Sequence, residues 1–382
     1  MRVCSPHCGL DPETTSGGET YERELLRHLG EAGVEIDLIL ARHKRVPEAV
    51  TNWVIHRLPM GRGLRWPVAA MVFPPFINQV FDERRFDLLR VHSLRFVGPA
   101  ALWARRRYGL DVPVVSHHHH LDSRPLNLLI ERRVIQASER TITVSEFSRR
   151  QLVAELGVDG DRVEVVPNGV DARFAPGPRD RALQARYGLG EGPVALFLGG
   201  LKPRKNLPFL LDVWREVTAV RSDATLLVAG GGPLQARLRE QARRLGLEGR
   251  VVFCGRVPEA EKVAHYRLAD LFVFPSALEG FGFAVAEAMS FGLPVVVSDR
   301  GALPELVTDG AGGFVCPAGD VAMFIRALLR LLGDPDLARR FGEANRRLID
   351  ARYRWDRASR RVIEIYEEVL ASFKRGVRRP SR

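Results

Sequence analysis

The chain has 382 residues, of which 46% are hydrophobic and 27% charged. That is enough for two domains with ordinary cores, and no run of about 18 or more apolar residues suggests a membrane span. The net charge of +11 suits phosphate-bearing partners, but only five of the 57 basic residues are lysine and no nucleic-acid recognition motif accompanies them, so nucleic acid is not the expected ligand.

In chain order, the start "MRVCSP" lacks the apolar centre of a signal peptide. Cys4, Cys8, Cys254 and Cys316 have neither paired metal spacing nor disulfide density, so a cytoplasmic location is expected. "SGGE" (16–19) opens a helix carrying "ETYERELLRHLGEAG". Candidate strands follow at "VEIDLIL", "WVIHRLP", "FDLLRVHS", "VPVVSH", "RTITVS" and "VEVVPN". The stretch 167–180, rich in Pro, Gly and Asp, reads as a domain boundary.

Beyond it, short apolar runs alternate with helical patterns: "VALFLGG", "LPFLLDVWREVTAV", "ATLLVAG", "PLQARLREQARRLG", "RVVFCG", "EAEKVAHYRLA", "DLFVFPS", "FAVAEAMSFG", "PVVVSD", "ALPELVTD", "GGFVCP" and "DVAMFIRALLRLLGD". Such alternation predicts βαβ units on a parallel sheet, an α/β doubly wound domain. Val362, Ile365, Tyr366, Val369, Leu370 and Phe373 form one stripe of a last helix. The tail, 376–382, is basic.

"EGFGFAVAEAM" (279–289) carries two carboxylates eight positions apart. Gly280 and Gly282 permit close backbone approach, and the helix that follows offers free N–H groups to a phosphate. Glu279 and Glu287 can each grip vicinal hydroxyls of a sugar or ribose. "GGLKPRKN" (199–206) puts Lys202, Arg204 and Lys205 after a strand, suited to a diphosphate leaving group. "GGGP" (230–233) lacks dinucleotide-fingerprint spacing and reads as a tight turn. "VVSHHHHLD" sets His117 to His120 at a strand end, where alternate residues face opposite ways. Zinc would need further ligands there, so no metal is expected, and a histidine that bonds a sugar or an acceptor is the favoured role.

In this order, "TVSEFSRRQL", "VVPNGVD", "LKPRKN", "EGFGFAVAEAMSFGLPVVVSD" and "LPELVTDGAGGFVCP" resemble the retaining GT-B glycosyltransferases of the family 4 type. The resemblance implies two Rossmann-like domains facing across a cleft: an acceptor-binding domain at 1–170, completed by a returning helix at about 355–375, and a nucleotide-sugar domain at 171–354. It implies a nucleotide-sugar donor, Glu279 at the donor sugar, Glu287 on the ribose, Phe281, Gly282 and Phe283 near the diphosphate, Lys205 paired with it, Gly17 and Gly18 opposite, and the base beside Arg256 and Val257. Gly200 stands where relatives often carry arginine, and Lys202 or Arg204 is the candidate substitute. Relatives show one histidine after the strand of Val114 and Val115; counting selects His118, and a shift of one selects His119. The implied activity is hexosyl transfer, from a UDP- or GDP-linked sugar to a glycan or lipid-linked acceptor, with retained configuration and without a metal or other cofactor. Glycoside hydrolysis, sugar-nucleotide epimerisation and nucleic-acid binding are the competing readings. The segment 61–76, "GRGLRWPVAAMVFPPF", suits either contact with an anionic membrane or packing into the core.

Overall fold

A computed structural model describes residues 1–13, 17–47, 50–59, 69–119 and 124–377. The chain folds as two compact units: Met1–Asn168 joined by the chain from Trp355 onward, and Gly169–Arg354. Each is a parallel sheet flanked by helices, the Rossmann-like α/β architecture expected from the alternating pattern.

The N-terminal sheet has seven strands: β1 (Arg2–His7), β2 (Glu35–Ala41), β3 (Trp53–Leu58), β4 (Leu88–Val91), β5 (Val114–His118), β6 (Arg140–Thr143) and β7 (Val163–Val165), ordered β3-β2-β1-β4-β5-β6-β7. The sequence reading located every strand but β1. It lies at the centre, pairing Val3 with both Ile36 and Leu88, although Ser5, Pro6 and His7 interrupt its apolar run. Helices α1 (Gly17–Glu31), α2 (Ala69–Arg84), α3 (Val97–Tyr108), α4 (Pro125–Ala137) and α5 (Glu146–Leu156) cover this sheet. α5 shows why such a segment starts and stops where it does: Ser145 Oγ accepts from the Ser148 N–H, and Gly157 ends the helix in the left-handed region.

The second sheet has six strands: β8 (Val194–Leu198), β9 (Thr225–Ala229), β10 (Val251–Gly255), β11 (Leu271–Phe274), β12 (Val295–Ser298) and β13 (Gly313–Cys316), ordered β10-β9-β8-β11-β12-β13. Its helices are α6 (Arg181–Arg186), α7 (Leu207–Val220), α8 (Gln235–Arg244), α9 (Lys262–Leu268), α10 (Phe283–Ser290), α11 (Leu303–Leu306), α12 (Val321–Gly333) and α13 (Pro335–Arg352). β8, β9, β11 and β12 are almost wholly buried, which is why they read as continuous apolar runs rather than alternating ones.

A last helix, α14 (Trp355–Val377), returns to the N-terminal unit. There Val362, Ile365, Tyr366 and Val369 are buried, while Leu370 and Phe373 are half-buried. Residues 378–382 of the basic tail lie outside the described residues, as do 61–68 of the candidate membrane segment. The rest of that segment begins α2, where Phe73 joins the core and Met71 is exposed. Among the described residues, no helix is long and apolar enough to cross a membrane.

Candidate active site

Strand order reverses between β8 and β11, and in open α/β sheets ligands bind outside the strands' carboxyl ends at such a point. The loops leaving these two strands carry the cations and the first carboxylate of the sequence motifs, and the fold brings them together. Glu279 Oε1 accepts from Lys205 Nζ, Arg204 Nη1 and Ser276 Oγ, each at 2.6 Å. Lys205 Nζ also lies 4.3 Å from the centre of the Phe274 ring. Burial, with Arg204 and Lys202 nearby, lowers the Lys205 pKa against the pull of Glu279. The result is a buried carboxylate overloaded with donors, two of them cationic.

The loop is rigid for identifiable reasons. The Glu279 carbonyl accepts from the Ala302 N–H at 2.9 Å. Gly301 has φ +66°, and a Cβ there would lie 2.2 Å from the Glu279 carbonyl oxygen, so only glycine fits. Gly282 has φ +100° and starts α10; a Cβ there would meet Leu303 at 2.8 Å. Phe281 is buried and Phe283 half-buried, their rings edge to face at 5.5 Å.

Glu287 is 4% exposed. Its Oε2 accepts from the Tyr266 hydroxyl at 2.7 Å, and its Oε1 from Lys262 Nζ at 3.3 Å. Burial raises its pKa despite Lys262. The two glutamates of the motif therefore each have a cation of their own, rather than forming one carboxylate pair.

The glycine-rich loops interlock. Leu201 N–H donates to the Gly231 carbonyl at 2.9 Å, and a Cβ on Gly230 would lie 1.9 Å from the Gly199 carbonyl oxygen. "GGGP" is a close-packed turn, with Gly231 backed by Arg256; Arg256 is exposed and the neighbouring Val257 buried. At Gly200 a Cβ would come no closer than 3.8 Å to any atom, the nearest being Cε of exposed Lys202. The lysine stem thus runs beside the position where a larger residue at 200 would begin, while Arg204 is committed to Glu279. Ser276, Lys262 and Gly301 escaped the sequence reading. Lysine scarcity was the available signal for Lys262, one of five in the chain.

The N-terminal sheet reverses order between β1 and β4. His7 ends β1 and His92 follows β4, their rings stacked at 3.5 Å. Glu22, on α1, is buried between them: its Oε2 accepts from Arg90 Nη1 at 2.6 Å and His7 Nε2 at 3.2 Å, and its Oε1 from His119 Nε2 at 2.9 Å. Burial alone would raise the Glu22 pKa, but the charge of Arg90 and these donors hold it well below the usual carboxylate range. Burial also pushes His7, His92 and His117 down, favouring neutral rings. His7, Glu22 and His92 bring three possible ligand atoms within 4.8 Å of one another. Arg90 places a fixed positive charge on the carboxylate that a cation would need, so the electrostatics oppose a metal there.

The histidine run divides by role. His117 is pinned between two hydroxyls, Nδ1 with Tyr21 at 3.1 Å and Nε2 with Tyr366 at 2.8 Å. His118, selected by counting, is 3% exposed. His119 keeps 18% of its side chain exposed, beside Tyr21 with ring centres 4.4 Å apart. His120 lies outside the described residues, as does Ser16; Gly17 and Gly18 form the first turn of α1.

Residues 181–348 match the family described as glycosyl transferases group 1, and residues 15–174 match glycosyltransferase family 4. The chain is 34% identical to the GDP-mannose-dependent alpha-(1-6)-phosphatidylinositol monomannoside mannosyltransferase of Mycolicibacterium smegmatis, over 71% of this chain and 73% of that protein. It is 35% identical to the D-inositol 3-phosphate glycosyltransferase of Nocardia farcinica, over 94% and 86% respectively. Similar folds occur in sucrose-phosphate synthase from Thermosynechococcus elongatus (TM-score 0.81, 20% identity, 97% and 99% covered) and in Anabaena HepE in complex with UDP and glucose (0.78, 20%, 96% and 99%).

Proposed function

Since the chain belongs to the family 4, group 1 glycosyltransferases and uses a nucleotide sugar, we propose that it moves a hexosyl unit from GDP-mannose to a hydroxyl of an inositol-bearing glycolipid, with retained anomeric configuration. The observation that carries this reading is the Lys205–Arg204–Glu279–Ser276 constellation at the switch point of the C-terminal sheet. The names of the actinobacterial relatives support the donor and the inositol-bearing acceptor.

In this mechanism the C-terminal unit binds the donor. The diphosphate lies against the start of α10 at Gly282 and Phe283, where the helix N-terminus carries a partial positive charge. Charge develops on that diphosphate as the glycosidic bond breaks, and Lys205 with Lys202 stabilises it; Lys202 supplies the cation that Gly200 lacks. The acceptor hydroxyl attacks from the face the diphosphate leaves. Glu279 holds the cations and a sugar hydroxyl; with three donors on one oxygen it is not a nucleophile. Glu287 orders the ribose end with Lys262, and the base sits by Arg256 and Val257. His119, rather than buried His118, accepts a bond from a hydroxyl of the reacting sugars. Fixed protein cations make a divalent metal unnecessary, so activity survives chelation.

Thermal shifts with GDP-mannose, UDP-glucose and UDP-N-acetylglucosamine, followed by NMR of the transferred anomeric centre, test the proposal. Stabilisation by GDP-mannose and an α-linked product support it; release of free sugar from a glycoside without nucleotide, or tight salt-sensitive nucleic-acid binding, would refute it. Peripheral contact with an anionic membrane is part of the reading, supported by the basic apolar segment 61–76. Co-sedimentation with phosphatidylglycerol vesicles at low salt checks that part.

A further inference from the structure

The Glu22 network in the N-terminal unit does more than fill a core. An ionised carboxylate accepts hydrogen bonds and donates none, and a guanidinium donates and never accepts. Arg90 Nη1 at 2.6 Å on Oε2 therefore fixes both the charge and the orientation of the Glu22 carboxylate. Any histidine nitrogen facing that carboxylate must carry a proton. His7 satisfies this rule on both sides: its Nε2 donates to Glu22 and its Nδ1 accepts from the Gly9 N–H at 3.3 Å. His119 faces the other carboxylate oxygen with Nε2 at 2.9 Å, so Nε2 carries a proton, and a neutral ring then has its lone pair on Nδ1. The edge of Tyr21 packs against the same ring and limits its rotation.

We propose that Glu22, clamped by Arg90, is a positioning residue that fixes the tautomer and orientation of His119, so that Nδ1 accepts a hydrogen bond from a substrate hydroxyl. The inference rests on reading His119 as the sugar-contacting histidine. Its logic makes an unusual prediction for the isosteric variant. In Glu22→Gln the single amide oxygen goes to Arg90, which has nothing but donors. The amide NH2 then faces His119 and requires the lone pair of Nε2, which drives the proton to Nδ1. The hydroxyl acceptor is thereby lost without removing any group that touches substrate.

The test uses full-length protein labelled with 15N-histidine and long-range 1H–15N correlation spectra at neutral pH, with His119 assigned by its disappearance in His119→Gln. The expected result is an Nε2–H tautomer in the wild type and an Nδ1–H tautomer in Glu22→Gln. Alongside it, kcat per folded enzyme falls between about 10- and 100-fold with the donor KM nearly unchanged. An Nδ1–H tautomer in the wild type overturns the proposal. So does a Glu22→Gln protein that is less stable but keeps its wild-type tautomer and kcat. Because a lone buried Arg90 charge endangers folding, Glu22→Gln with Arg90→Gln provides a neutral pair, and the wild-type spectrum decides even if neither variant folds. If the wild type transfers no sugar from any nucleotide donor, the functional reading fails while the tautomer assignment can still stand, so the two failures are distinguishable.

Discussion

The two sheets present their switch points with opposite chemistry. At the C-terminal one, two cations converge on a single glutamate oxygen. At the N-terminal one, a single buried arginine neutralises a single glutamate, and imidazoles surround the pair. One arrangement suits the accumulation of negative charge on a leaving group; the other suits hydroxyl recognition, where direction matters more than charge. The same topology supports both because the strands supply only positions, and the residues just past their carboxyl ends supply the chemistry.

The sharpest way to break this contrast is Lys205→Ala. Removing a cation aimed at developing charge should lower kcat by about 100- to 1,000-fold. Glu279 keeps Arg204 and Ser276, so thermal unfolding should move little by comparison. Near-wild-type kcat/KM would end the assignment. A smaller effect is expected on the other side. His119→Ala should reduce kcat/KM by about 10- to 100-fold, whereas His118→Ala, corrected for folded fraction, should stay near wild type; the reverse order would return the role to His118.

Gly301→Ala tests whether the C-terminal loop is held from below. The left-handed backbone and the approach to the Glu279 carbonyl should cost about 1–3 kcal/mol in urea unfolding and weaken donor binding. The least effect is one of pH. Because Lys205 has a lowered pKa, it loses its charge at a lower pH than an ordinary lysine. The alkaline fall in kcat/KM should accordingly begin below the usual lysine range, and Lys205→Arg should shift it upward.

Most of the C-terminal unit was legible because each of its strands is a clean apolar run and each motif sits directly after one. Glu279, Lys205 and Gly282 could be placed from that alone. β1 was not legible: Pro6 and two polar neighbours disguise the central strand, whose pairing on both sides is a long-range fact. α2 was obscured by Pro74 and Pro75 inside the helix, where tertiary packing of Phe73, Ile77 and Val80 overrides the local preference. Gly301 carried no motif, since its necessity arises from the carbonyl it meets 22 positions earlier. The histidine run marked a strand end, but only side-chain direction, set by Tyr21, Tyr366 and Glu22, separates its members.

The N-terminal unit is assembled from two separate stretches of the chain, with the whole second unit spliced between them. During synthesis the first 168 residues emerge without the helix that brings Tyr366 to His117. The nascent unit must wait, with one flank bare, until the ribosome has translated the intervening unit and the helix that follows it. The second unit can thus be complete before the histidine-bearing one is, and termination ahead of Trp355 leaves the first with an orphaned flank.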